Sequence, residues 1–172
     1  MTEMKYRQSV IRALGIAAIV TMAIAGAAAG ATAIATGARA ADDTALEKLA
    51  AQDECPKCDL SKADLSGGGY PGSDFSEANL SGANLESVVM NQATLQGANL
   101  SDVNLTDAIL ESANLKGVNL TGADLTRTDL SGADLSGATG LTQAQLDETC
   151  DDGSADPDAA ILPDGLELKR CE

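Results

Sequence analysis

The chain has 172 residues, a length that suits a single domain. Its 26 acidic and 11 basic side chains give a net charge of −15, which opposes DNA, RNA and anionic lipid as partners. Histidine is absent, so neither a Ser-His-Asp nor a Cys-His catalytic arrangement exists.

The first forty residues differ in character from the rest. Lys5, Arg7 and Arg12 form a basic start, and Ala13 to Ala38 follows without a charge. The run closes with Ala38-Arg39-Ala40 before Ala41-Asp42-Asp43. A basic start, an apolar run and a small-x-small end read as a secretory signal cut after Ala40. The rival reading is an uncleaved membrane anchor, because the 26 uncharged residues 13–38 are long enough to span a bilayer. Arg7 and Arg12 are not adjacent, so a twin-arginine signal is not supported. Cleavage removes Lys5, Arg7, Arg12, Arg39 and Glu3, leaving 7 basic and 25 acidic residues, a net charge of −18.

Residues 43–51, DTALEKLAA, predict a short helix with Asp43 as N-cap and Leu46 and Leu49 on one face. Cys55-Pro56-Lys57-Cys58 follows. CxxC with an internal proline is similar to thiol–disulfide oxidoreductase sites, where a lowered thiol pKa makes the first cysteine reactive. Those sites open a helix in a βαβ setting, which this sequence does not offer. A small structural disulfide or a pair of free thiols is the alternative.

From Cys58 to Gly137 the sequence repeats every five residues. Leu60, Leu65, Tyr70, Phe75, Leu80, Leu85, Met90 and Leu95 continue through Leu135 as the centres of sixteen units, without insertion or deletion. A small residue stands two places before most centres, as Ala63, Ala78 and Ala83 do, and the place between is usually Asp or Asn. Five residues turn an α-helix through about 500°, so the leucines would make no stripe on it. On a continuous strand an odd period sends successive leucines to opposite faces. A chain that bends once per unit points the small residue and the leucine inward every time. Ser, Thr and Gly after each centre suit such bends. The result is a solenoid with coils stacked about 4.8 Å apart.

The A(D/N)Lxx pattern resembles the pentapeptide-repeat family over residues 58–137. The resemblance implies an all-β solenoid, a right-handed quadrilateral β-helix with four units per coil and therefore about four coils. Residues twenty apart then stack, and the scarcity of aromatics fits a narrow tube filled by Leu and Ala. Tyr70 and Phe75 are adjacent exceptions, read as core filling or as an aromatic contact near the irregular Gly67–Gly72 unit. Open ends need covers. The 41–57 segment is read as the N-terminal cap. Residues 138–172 are read as a C-terminal cap with a helix at Leu141–Leu146 and an acidic tail, similar to the ends of many bacterial family members.

All four cysteines, Cys55, Cys58, Cys150 and Cys171, lie outside the repeats or at their edge, and an exported chain with an even count reads as disulfide-bonded. Four coils place the two pairs roughly 15–20 Å apart, whereas a zinc ion needs each sulfur at about 2.3 Å. One shared zinc is therefore excluded, and Cys150–Cys171 becomes a tail clasp. The acidic run from Asp147 to Asp158 misses the EF-hand spacing and reads as a loose acidic loop. No metal, cofactor or catalytic residue is expected.

One face departs from the pattern. Before centres 70, 90, 110 and 130 stand Gly69, Val89, Ile109 and Asp129, while the other faces keep Asp or Asn except at Thr94. Val89 and Ile109 should stack outward on adjacent coils, as a contact surface or beneath a flanking segment. Three functions remain: an exported, non-catalytic protein-binding or scaffold module, periplasmic or secreted; a cytosolic DNA mimic; and a redox protein using Cys55 and Cys58. The resemblance supplies the second, since acidic family members protect or inhibit DNA gyrase by imitating duplex DNA. Its compartment conflicts with an export signal. An ice-binding face would need a full threonine ladder, and only Thr106 and Thr126 stack.

Overall fold

The computed structural model describes residues 43–149 and 160–168. The segment read as a signal or anchor, together with Cys150, Cys171 and most of the acidic tail, lies outside them. Among the described residues no helix is long and apolar enough to cross a membrane.

The five-residue period becomes a tube because each unit contains one turn. The carbonyl of a centre accepts from the N–H three residues on, as Leu60 O does from Ala63 N (3.1 Å) and Leu95 O from Ala98 N (2.9 Å). The residue two places after each centre has positive φ, for example Lys62 (+58°) and Gly97 (+68°). A positive φ at the third of four residues is the type II turn, which turns the chain sharply. Between turns a single residue pairs with the coils on either side.

That pairing is parallel and separated by twenty residues throughout the repeats: Asp59 bridges Asn79, Asn79 bridges Asn99, Asn99 bridges Asn119 and Asn119 bridges Thr139. Each rung is made of two bonds of the kind Leu60 N to Asn79 O (2.8 Å) and Asn79 N to Cys58 O (2.9 Å). Four stacks of centres result, led by Leu60, Leu65, Tyr70 and Phe75, and the chain is a solenoid with its core along the axis. All the leucine centres are buried, as are the small residues from Ala63 to Ala133 that fill the corners between them.

The register begins one unit earlier than the repeat pattern suggests. Cys55 is fully buried, and its N–H donates to Asp74 O (2.8 Å), as a centre five residues before Leu60 should. Cys58 takes the small-residue place but is only half-buried. Tyr70 and Phe75 are both fully buried, their rings edge-to-face at 5.6 Å and 85°, so the exposed aromatic contact is not formed. Gly68 explains how Tyr70 fits: a Cβ there would lie 2.6 Å from the tyrosine Cε2 and 2.9 Å from Leu65 O. The usual corner alanine is dropped to admit a larger centre.

Helix α1 (Asp43–Gln52) lies against the first coil, burying Ala45 and Leu49 in the core. Asp43 is its first helical residue, where the sequence suggested a cap; boundary differences of one residue are expected at helix ends. The helix stops at Asp53, whose φ of +56° and N–H bond to Leu49 O make a left-handed termination. Helix α2 (Gln143–Asp147) starts with a capping box between Thr142 and Gln145 and buries Leu146. The Gln145 amide also donates to Leu120 O (3.0 Å) and Ala123 O (2.9 Å), meeting carbonyls at the edge of the last coil. Farther on, Ile161 bridges Asp134 in parallel and exchanges bonds with Leu135 N and Ala133 O, so the chain returns to extend the Phe75 face by one rung.

Candidate functional site

Three faces of the tube satisfy their own backbone except at Thr94, where among the described residues no side-chain acceptor meets Gln96 N. Elsewhere on them the side chain before the centre is Asp or Asn, and its Oδ1 accepts the N–H that follows the centre, as Asp59 does for Ser61 (3.1 Å) and Asp74 for Ser76 (2.8 Å). These hydrogen bonds hold the Asp59, Asp74, Asp124 and Asp134 carboxyls below the usual carboxylate range, with the following Ser or Thr as the first cause. On the Leu60 and Leu65 faces the asparagines also link to one another. Asn119 donates to Asn99 (3.1 Å), Asn99 to Asn79 (3.2 Å) and Asn79 to Asp59 (3.0 Å), and Asn104 and Asn84 repeat the arrangement above Asp64. Each ladder ends on an aspartate, which accepts without needing to donate.

The Tyr70 face breaks this scheme. Gly69, Val89, Ile109 and Asp129 bridge one another in sequence, so Val89 and Ile109 stand on adjacent coils. Val89 is partly buried and Ile109 keeps 37% of its surface exposed. Neither side chain can accept a hydrogen bond, and among the described residues the N–H groups of Asn91 and Glu111 have no acceptor. Where Gly69 removes the acceptor, Pro71 removes the donor. Three buried side-chain polar atoms lack a partner among the described residues: Tyr70 Oη, Asn91 Oδ1 and Ser131 Oγ. All three belong to units of this face. Burial without a partner pushes the Tyr70 hydroxyl well above its ordinary pKa.

Charge surrounds the apolar pair. Glu111 is exposed on the corner beyond the face and receives the Asn91 amide (3.0 Å). Glu86, Asp107 and Arg127 occupy the preceding corner, with Arg127 Nε and Nη2 each 2.6 Å from an Asp107 carboxylate oxygen. That pair holds the Asp107 carboxyl below the usual range and is neutral as a unit. Glu86, Glu111 and Asp129 are the acidic side chains of the units bordering the pair.

The cysteines make a different arrangement. Cys55 and Cys58 are joined by a disulfide, with Cα atoms 5.4 Å apart, across one pentapeptide turn whose Lys57 has a φ of +58°. Cys55 Sγ lies 3.4 Å from Ala45 O in α1. It is fully buried, whereas a reactive oxidoreductase cysteine is partly exposed. Among the described residues no group of three or more His, Cys, Asp or Glu side chains is placed to hold a metal ion.

Sequence reading singled out Val89 and Ile109 but not the orphaned atoms near them. It also missed the Arg127–Asp107 pair, although their spacing of twenty residues is the signal that would have found it.

The pentapeptide-repeat family model matches in eight copies over residues 58–150, more than half of the chain. No curated protein sequence matches. Among solved structures, alr5209, a pentapeptide repeat protein from Nostoc Pcc 7120, is 27% identical, with 69% of this chain and 93% of that one covered and a TM-score of 0.53. A pentapeptide repeat protein of the Arabidopsis thaliana thylakoid lumen is 22% identical over 54% of this chain and 68% of its own, at a TM-score of 0.27. QnrB1, a plasmid-mediated fluoroquinolone resistance protein, is 20% identical over 63% of this chain and 56% of its own, at 0.26. The period and the twenty-residue pairing agree with the family model's match: the chain belongs to the pentapeptide-repeat family.

Proposed function

We propose that the protein is an exported, acidic, non-catalytic protein-binding module, whose tube of about four right-handed coils is closed by α1 at one end and by α2 with the returning tail at the other. The Tyr70 face is its contact surface. The observation that carries this reading is the stacked Val89–Ile109 pair, partly exposed on the face that, among the described residues, holds the three buried side-chain polar atoms without a partner. Natural sequences keep such local conflicts mainly where function requires them. In this reading residues 1–40 are the export signal, the protein works in the periplasm or outside the cell, and Cys150–Cys171 clasps the tail.

The test is the intact mass of the protein from separated cell fractions, with thiols alkylated before and after reduction. A periplasmic or secreted species beginning at Ala41 without free thiols supports the reading, and capture from that compartment should be lost with Val89→Asp. A full-length cytosolic species with four free thiols overturns export and favours a cytosolic DNA mimic. A full-length species in the membrane fraction places the tube on an anchor at residues 13–38.

A further inference from the structure

We infer that the Tyr70 face receives an extended protein segment in which apolar side chains alternate with Lys or Arg; this rests on the protein-binding reading above. Three independent features define the occupant.

The first is the apolar pair. Val89 and Ile109 stand on adjacent coils about 4.8 Å apart. Together they make one apolar strip across two coils.

The second is a pair of hydrogen-bond donors. On the other faces the N–H after a centre reaches an outward Asx oxygen wherever Asp or Asn precedes that centre, as Ser81 N reaches Asn79 (3.3 Å) and Thr106 N reaches Asn104 (3.0 Å), with Gln96 N behind Thr94 the exception within the repeats. The repeat therefore directs this N–H to the outer side of the tube. At Asn91 and Glu111 it has no internal acceptor among the described residues, because the preceding side chains are Val89 and Ile109. Outward amide donors beside an apolar strip suit the carbonyls of an extended chain, the main-chain mode of strand recognition. Pro71 ends the donor row on the N-terminal coil, where Gly69 also ends the apolar strip.

The third is charge. Glu86, Glu111 and Asp129 belong to the units bordering the strip, and Arg127 on the preceding corner is held by Asp107. An apolar centre with a carboxylate rim complements a segment with flanking ammonium or guanidinium groups. The same rim repels a second copy of this face.

The experiment uses the purified full chain, labelled with 15N, and three twelve-residue probes: alternating Lys/Val, alternating Ser/Val and alternating Glu/Val peptides. The Lys/Val peptide is expected to shift the amides of residues 89, 91, 109 and 111 saturably. The triple variant Glu86→Gln, Glu111→Gln, Asp129→Asn should weaken it about tenfold. Asn at 129 keeps the acceptor that Ser131 N uses (2.9 Å), and retained dispersion of the spectrum confirms that the variant folds. If the Ser/Val peptide moves the same amides as tightly, the contact face stands and the basic partner is overturned. If the Lys/Val shifts spread equally over the Asp59, Asp64 and Asp124 faces, or no peptide gives saturable shifts, both readings fall.

Discussion

Tyr70→Phe should stabilise the protein. The ring is fully buried in the axis of the tube and touches Phe75 edge-to-face, and the substitution preserves both features. What it removes is a hydroxyl that has no partner among the described residues. An unsatisfied buried donor costs about 1–3 kcal/mol. Loss of the oxygen leaves a void of about 10–15 Å³, which at about 24 cal/mol per Å³ costs roughly 0.2–0.4 kcal/mol. The net gain is therefore roughly 0.6–2.8 kcal/mol. Equilibrium unfolding in urea, followed by far-UV circular dichroism on the purified protein, measures it as a higher midpoint with an unchanged slope. A variant less stable than wild type by 1 kcal/mol or more would show, within the usual net worth of about 1 kcal/mol, that the hydroxyl is hydrogen-bonded. That result refutes the account of this face as a site of unpaired polar groups. Gly68→Ala is the complementary control, because its Cβ meets the ring that Tyr70→Phe retains; it should cost roughly 1–3 kcal/mol.

Leu105→Asp should unfold the tube, since it puts an unpaired charge among stacked leucines, and a near-native melting curve would contradict the register. Val89→Asp should leave the melting curve within about 0.5 kcal/mol of wild type while reducing capture of a partner. Ser87→Gly should stabilise by about 0.5–1 kcal/mol in the same urea assay, because the φ of +54° costs serine more than glycine loses in unfolded-chain entropy. On the acid side the Asp59, Asp74, Asp124 and Asp134 carboxyls titrate below their unfolded values, so their contribution is complete above about pH 4 and is lost as pH falls through the lower folded values. Urea midpoints should accordingly hold or rise slightly from pH 7 to about 4.5, as acidic self-repulsion eases, and drop below about pH 4.

How much of this was legible in the sequence depended on distance along the chain. The tube followed from the period alone, because each unit makes its own turn and its side-chain roles are local. The odd face followed from comparing positions twenty apart. Cys55 was hidden because a centre was expected to be Leu, and the CxxC spacing invited a chemical reading of what is also a pentapeptide turn. Ile161 was hidden for another reason. Its rung with Asp134 spans a break in the repeat, so no periodicity announces it. Gln145 was likewise silent, since a glutamine that meets edge carbonyls looks like any other helix residue.

The distribution of unpaired groups along the tube constrains what the Tyr70 face is for. Restoring Asn at Val89 and Ile109 is a small chemical change that the neighbouring faces already demonstrate. It would supply acceptors for Asn91 N and Glu111 N and extend an asparagine ladder like those above Asp59 and Asp64. A tube selected for stability alone has every reason to adopt it, because each pairing contributes roughly 0.5–1.5 kcal/mol. The face instead carries two aliphatic side chains where partial exposure gains little, next to donors left open. Water meets such donors at a smaller net gain than an internal acceptor gives, and it leaves no benefit for the aliphatic pair. A partner chain rewards both at once, covering the valine and isoleucine while its carbonyls take the N–H groups. Val89→Asn with Ile109→Asn should therefore raise the urea midpoint and abolish binding together, an opposition that a merely tolerated irregularity would not produce.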